Sequence, residues 1–235
     1  MRWVVLVVIA ACGRVGFETP GSPGGDDAID DALVDGSGGP PVDGDTTQVT
    51  QTTCTPPTPS CAFPGGLPCT CWGTRTTLNA SMGESNGRLT ITPNANTVGA
   101  QGYCLRTTVP FAAPGVLVEI SSVVQGAQGL TALQLGASPD VYTMSVRGTL
   151  LLVEDGDGTV ASLTHDGSTM RWWRIRPVGA QVLYETAPDG KAWTTRGTSN
   201  RPSSASYDVR VIGGTIGAQA TPGSAVVEGI NVCPP

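Results

Sequence analysis

The chain has 235 residues, enough for one large domain or two small ones. Thirteen Lys and Arg face nineteen Asp and Glu, a formal charge of -6; from Gly13 to Ser60 there are eight acids and one base, Arg14, whereas from Cys61 to Pro235 acids and bases balance at eleven each. The acidity therefore belongs to the N-terminal quarter, and the near-neutral remainder lacks the clustered basic surface that nucleic-acid binding requires.

Residues 1–11 place one Arg before an apolar run from Trp3 to Ala11. That run is too short to span a bilayer, which takes roughly 20 apolar residues, and has the form of a signal-peptide core. It ends in Ile9-Ala10-Ala11-Cys12, which resembles the lipobox of bacterial lipoproteins. The resemblance implies cleavage before Cys12 and acylation of its thiol, so that the membrane is a partner through the lipid. Each buried CH₂ of the acyl chains contributes about 0.8 kcal/mol. Gly13 rather than Asp follows the Cys, which in Gram-negative lipoproteins points to the outer membrane, and hence to a place in the bacterial cell envelope. An ordinary signal peptide with an incidental Cys is the alternative.

Residues 12–60 are dominated by Asp, Gly, Pro and Thr without an apolar period. Such a segment buries too little surface to offset its ordering entropy and reads as a disordered, acidic spacer. Its Asp26–Asp35 stretch lacks the ligand order and closing Glu of an EF-hand. Beyond Cys12, six cysteines remain: Cys54, Cys61, Cys69, Cys71, Cys104 and Cys233. An even number in an exported chain implies disulfides, with 15 possible connectivities. Cys69 and Cys71 point the same way in an extended chain, so they should have different partners. A zinc cluster is the rival, but neither paired CxxC motifs nor a second His accompanies them.

From about Trp72 short alternating segments take over, in a domain spanning 61–235. Arg88–Thr92, Val116–Val124, Val141–Arg147, Leu150–Val153, Val160–Leu163, Arg171–Arg176, Gln181–Thr186, Tyr207–Ile212 and Ala225–Val232 show the period of two expected of half-buried strands. Asn86-Gly87, Asp155-Gly156, Asp157-Gly158, Asp166-Gly167 and Asp189-Gly190 are hairpin turn signals. No long helical pattern and no blade-length repeat occurs. About a dozen strands imply an all-β, antiparallel two-sheet sandwich or jelly roll.

Within Arg171–Trp193, an aromatic-Arg-Ile-Arg strand runs into a second strand ending Ala187-Pro188-Asp189-Gly190-Lys191-Ala192-Trp193. This hairpin resembles one in concanavalin A-like lectin/glucanase jelly rolls, especially laminin-G-like and regulation-of-enolase-like domains. Asn86–Ile91 and Ser224–Val232 resemble other strands of that family. The alternation puts Trp173 and Ile175 on one face, expected to be core with Tyr184 or its neighbour opposite, and Trp172, Arg174 and Arg176 on the other. Trp193 is expected to plug the end of the sandwich, leaving Trp172 the most accessible Trp. Because the first and last strands of jelly rolls lie close, the resemblance also suggests that Cys69 or Cys71 pairs with Cys233.

Hydrolytic members of this class carry Glu-x-Asp-x-x-Glu, which is absent here; Glu84, Glu119, Glu154, Glu185 and Glu228 are scattered over separate segments. Retaining glycoside hydrolysis needs carboxylates about 5–5.5 Å apart. The single His, His165, reads as a turn residue beside Asp166 rather than a triad member. Asp155 and Asp157 form a weak calcium candidate, read first as an acidic hairpin turn. No cofactor is expected. Carbohydrate binding needs an exposed aromatic ring with a few polar groups, and Trp172 with Arg174, Arg176 and Glu185 is the candidate; alternatively Arg174 simply pairs across the hairpin with Glu185. The sequence thus implies a lipid-anchored, non-catalytic envelope protein that binds glycan, or else an envelope protein-protein interaction or structural module. A glycoside hydrolase is the third reading.

Overall fold

The computed structural model describes residues 49–50, 54–137, 140–200 and 204–234. Cys12, the signal-like run and most of the acidic spacer lie outside them. Fifteen strands follow in chain order: β1 (Val49–Thr50), β2 (Thr74–Leu78), β3 (Ala80–Ser85), β4 (Arg88–Pro93), β5 (Gln101–Pro110), β6 (Val116–Ser122), β7 (Gly129–Ala137), β8 (Asp140–Arg147), β9 (Leu150–Asp155), β10 (Gly158–Thr164), β11 (Trp172–Val178), β12 (Gln181–Ala187), β13 (Ala192–Asn200), β14 (Ser206–Thr215) and β15 (Ala225–Ile230). They form an eight-stranded sheet, β1-β13-β12-β11-β6-β15-β4-β3, and a seven-stranded sheet, β10-β9-β8-β7-β14-β5-β2. Every pairing is antiparallel, giving a jelly-roll sandwich as the alternation implies.

The inner faces supply the core. Leu89, Ile91, Val118, Trp173, Ile175, Val182, Tyr184 and Val227 of the larger sheet meet Leu133, Leu135, Met144, Val146, Leu151, Val153, Val209 and Val211 of the smaller, all 0% exposed. At ~25 cal/mol per Å² this apolar burial is the main stabilising term. Two glycines set how closely the sheets approach. Gly102 and Gly213 face each other across β5 and β14. A Cβ on either would come within 2.9 Å of the Ile91 side chain, so their missing side chains form the notch that Ile91 fills. Asn86 (φ 52°) and Gly87 (φ 75°) make the left-handed turn from β3 to β4, the conformation for which Asn-Gly is suited.

Three disulfides close the N-terminal edge: Cys54–Cys233, Cys61–Cys71 and Cys69–Cys104. Cys69 and Cys71 do have different partners, but Cys233 takes Cys54 rather than either of them. The reason is a terminal strap. Cys61 exchanges two backbone hydrogen bonds with Ile230, and the buried Asn231 donates from Nδ2 to the Pro59 carbonyl while its Oδ1 accepts from the Leu117 amide. Residues 54–61 are thereby laid against the end of the chain, and β1 pairs with the edge of β13. The fold thus takes in residues on the N-terminal side of Cys61 that composition alone reads as spacer.

Candidate functional site

The residues singled out in the central hairpin do meet, but they are covered. Arg174 and Glu185 are direct cross-strand partners. Glu185 Oε2 accepts from Nε of Arg174 and from Nε of Arg176, both at 2.7 Å, and Oε1 accepts from Arg176 Nη2 at 3.0 Å. The Arg174 and Glu185 side chains are 4% and 1% exposed. Burial pushes the Glu185 carboxyl up, but Arg176 and Arg174 outweigh it and hold the group below the ordinary carboxylate value. Burial pushes the Arg174 guanidinium down, against Glu185.

Trp172 is 2% exposed, which corrects the expectation of an accessible platform. It packs with Leu117, Ala187 and Trp193 in a second apolar cluster on the outer face of the larger sheet. Trp193 belongs to this cluster rather than plugging the end of the sandwich, and the Arg174 guanidinium carbon lies 4.0 Å from its ring centroid. The cover is the strap: Cys54, Thr55 and Pro234, together with the Gly190-Lys191 turn, close a cavity of about 100 Å³ over Arg174 and Trp193. Alternation assigns a side chain to a face, but it carries no information about a segment of distant chain that folds over that face.

The other sequence candidates serve the fold locally. Asp155 Oδ1 accepts from the Asp157 and Gly158 amides and so shapes the β9–β10 turn. Among the described residues no cluster of three or more His, Cys, Asp or Glu is placed to hold a metal ion. The Asp166 carboxylate accepts from Ser168 and Thr169 rather than from His165. Glu119 and Glu228, scattered in the sequence, stand on neighbouring strands, each bound to its own arginine, Arg171 and Arg88. Burial raises the Glu119 carboxyl, whereas hydrogen bonds and charge from Ser121 and Arg88 overcome burial and lower that of Glu228.

A second set of residues escaped the sequence reading. On the outer face of the seven-stranded sheet, Tyr103, Ile212, Ala132, Ser145 and Leu152 stand opposite one another across β5, β14, β7, β8 and β9. The next row is Leu105, Arg210, Gln134, Thr143 and Glu154. Arg210 Nη1 donates to Gln134 Oε1 at 3.2 Å, and its guanidinium carbon lies 5.9 Å from the Tyr103 centroid. Arg210 Nε is buried with no partner among the described residues. Arg147 closes the row by pairing with Glu154 at 2.7 Å. No described strand crosses this face. The signal was present: Arg210 alternates with the buried Val209 and Val211.

No family model matches this sequence, and no curated protein does. Solved structures share its architecture. The exoplasmic/lumenal domain of VIP36, bound to Ca²⁺ and Man3GlcNAc, superimposes with a TM-score of 0.50 at 12% identity over 73% of this chain and 86% of that one. The Crh5 transglycosylase in complex with NAG gives 0.50 at 11% identity over 73% and 81%. At these identities the likeness establishes the fold, a lectin-like β-sandwich, and nothing further.

Proposed function

We propose that this protein is a lipid-anchored, non-catalytic glycan-binding protein of the bacterial cell envelope, which holds its ligand across the outer face of the seven-stranded sheet. One observation carries the reading: an uncharged amide, that of Gln134, holds Arg210 beside the Tyr103 ring, and the Arg210 Nε has no partner among the described residues. An aromatic face with a few fixed polar groups is what recognition of a sugar's apolar face and hydroxyls requires. The glycan named for the VIP36 domain of like fold supports the ligand class. The Cys12 motif supports the anchor.

The carboxylates of this face support binding over hydrolysis. Glu154 and Asp208 stand on β9 and β14, with β8 and β7 between them. Three strand spacings put their backbones about 14 Å apart, and Glu154 is tied to Arg147, whereas glycosidases hold their two carboxyl groups roughly 5–9.5 Å apart. A glycan array probed with the full chain and with Tyr103→Ala tests the reading. Binding to at least one glycan, weakened tenfold or more in the variant at unchanged melting temperature, is expected. Equal binding by both proteins refutes the site. An unmodified Cys12 thiol in chain recovered from a Gram-negative host refutes the anchor.

A further inference from the structure

The largest cavity described, about 310 Å³, is elsewhere, at one end of the sandwich. It lies between the end of β6, the β8–β9 turn and the loop after β10. Its size is at the lower limit of the roughly 300–1,000 Å³ of small-molecule sites. Thr149 brings a hydroxyl to it and His165 an imidazole; Ser121 and Ser122 bring hydroxyl oxygens whose protons go to the Val226 and Ser224 carbonyls, Gln125 an amide oxygen whose NH₂ donates to the Val123 carbonyl, and Val123 an apolar wall. None of its lining residues is charged.

His165 is the least explained of these groups. Its backbone amide donates to the Thr149 carbonyl, which fixes the loop. Its ring stands edge-on to the buried Trp173, with centroids 6.4 Å apart and planes at 82°. It is half-buried, yet no described protein group bonds either ring nitrogen. The neighbouring Asp166 carboxylate, which could have oriented the ring, is spent on Ser168 and Thr169. A neutral imidazole offers one donor and one acceptor, and a hydroxyl one donor and two acceptor lone pairs. A lining with both capacities, one apolar wall and no charge matches a neutral polyol and offers an ionised ligand no counter-charge.

We infer that this end groove is a second binding site, one that takes a single neutral pyranose and hydrogen-bonds it through His165. The inference stands independently of the outer-face reading. The chain has one His, so a single histidine Hε1 resonance reports on the groove. Proton NMR of the full chain carrying Tyr103→Ala is followed while D-glucose, D-galactose, D-mannose, N-acetyl-D-glucosamine or D-glucuronate is added. At least one neutral sugar is expected to shift Hε1 saturably, with glucuronate at least tenfold weaker. His165→Phe keeps a ring against Trp173, and should lower the calorimetric affinity for that sugar tenfold or more without lowering the melting temperature. An Hε1 resonance that no neutral sugar moves, or that glucuronate moves equally well, overturns the inference. If Tyr103→Ala alone abolishes all sugar binding, the outer-face reading survives and this one does not.

Discussion

The sharpest energetic test is Glu185→Gln. The carboxylate is 1% exposed and receives three hydrogen bonds from two guanidiniums. Gln keeps the shape, but turns an NH₂ group towards a donor and removes the charge that offsets Arg174. Arg176, with a side chain 21% exposed, can swing to water; Arg174, at 4%, cannot. Breaking a buried pair in this way costs about 3–5 kcal/mol. At roughly 2–4 °C per kcal/mol for a domain of this size, melting falls by roughly 6–20 °C. Urea unfolding of the oxidised protein, followed by Trp fluorescence, measures it. The double variant Arg174→Met with Glu185→Gln should recover more than half of the loss, because no buried charge is then unpaired. Since Glu185 titrates below its unfolded value, its contribution is present above that value and is lost as pH falls through the folded one. The wild-type advantage over Gln therefore shrinks below about pH 4.3. A loss under about 1 kcal/mol at pH 7, the value of an exposed pair, would refute a triad kept dry beneath the strap.

The remaining expectations concern the strap, the groove and the outer face of the seven-stranded sheet. Replacing Cys54 and Cys233 by Ser opens a loop of 179 residues. By chain entropy this costs about 5 kcal/mol, against about 3 for the ten-residue loop of Cys61–Cys71; equal losses in urea unfolding would contradict the strap's role. The same change should make Trp fluorescence more quenchable by acrylamide. Asn231→Ala strands the Leu117 amide and the Pro59 carbonyl, at about 1–3 kcal/mol each, so a neutral result by calorimetry would rule out the tie. Burial pushes the His165 imidazole below its ordinary value, with Asp166 opposing. The unfolded chain then binds the proton better, and stability falls as pH drops below about 6.5; urea midpoints at pH 7.5 and 5.5 should differ more in wild type than in His165→Phe. Gln134→Glu hands Arg210 a carboxylate and should weaken any outer-face glycan at least fivefold on the array while leaving the melting temperature the same or higher.

The strands legible in the sequence are those with one wet and one dry face. Leu89 and Ile91 of β4, Val209 and Val211 of β14, and Trp173 and Ile175 of β11 are all core, with polar residues between them. Of the strands that the sequence did not show, two break that pattern, each in its own way. β2, Thr-Arg-Thr-Thr-Leu, is a mostly exposed edge with no apolar face. β7 is central and carries Leu130 and Ala132 on its outer side as well as Leu133 and Leu135 on the inner, so its alternation is blurred. The cysteines show the same limit. Local geometry separates the partners of Cys69 and Cys71, but the Cys54–Cys233 link depends on where two chain ends meet after folding.

What sets Arg210 apart is the group that holds it. Arg88, Arg147, Arg171, Arg174 and Arg176 are each bound to a carboxylate. Arg106 donates to the Trp72 carbonyl and Arg196 to the Thr186 hydroxyl, both as braces between neighbouring segments. Each of these cations has a protein partner, although the Nε of Arg147 and of Arg171, like that of Arg210, has none among the described residues; one beneath the strap is also sealed from solvent. Arg210 is held by a neutral amide, so its charge is positioned without being cancelled, and its Nε lacks an acceptor among the described residues. Leaving a buried donor unsatisfied costs about 1–3 kcal/mol. A fold that binds five other arginines to carboxylates could have placed one at position 134. That it presents Gln there, next to an aromatic ring, is the arrangement expected where an acceptor arrives with a ligand.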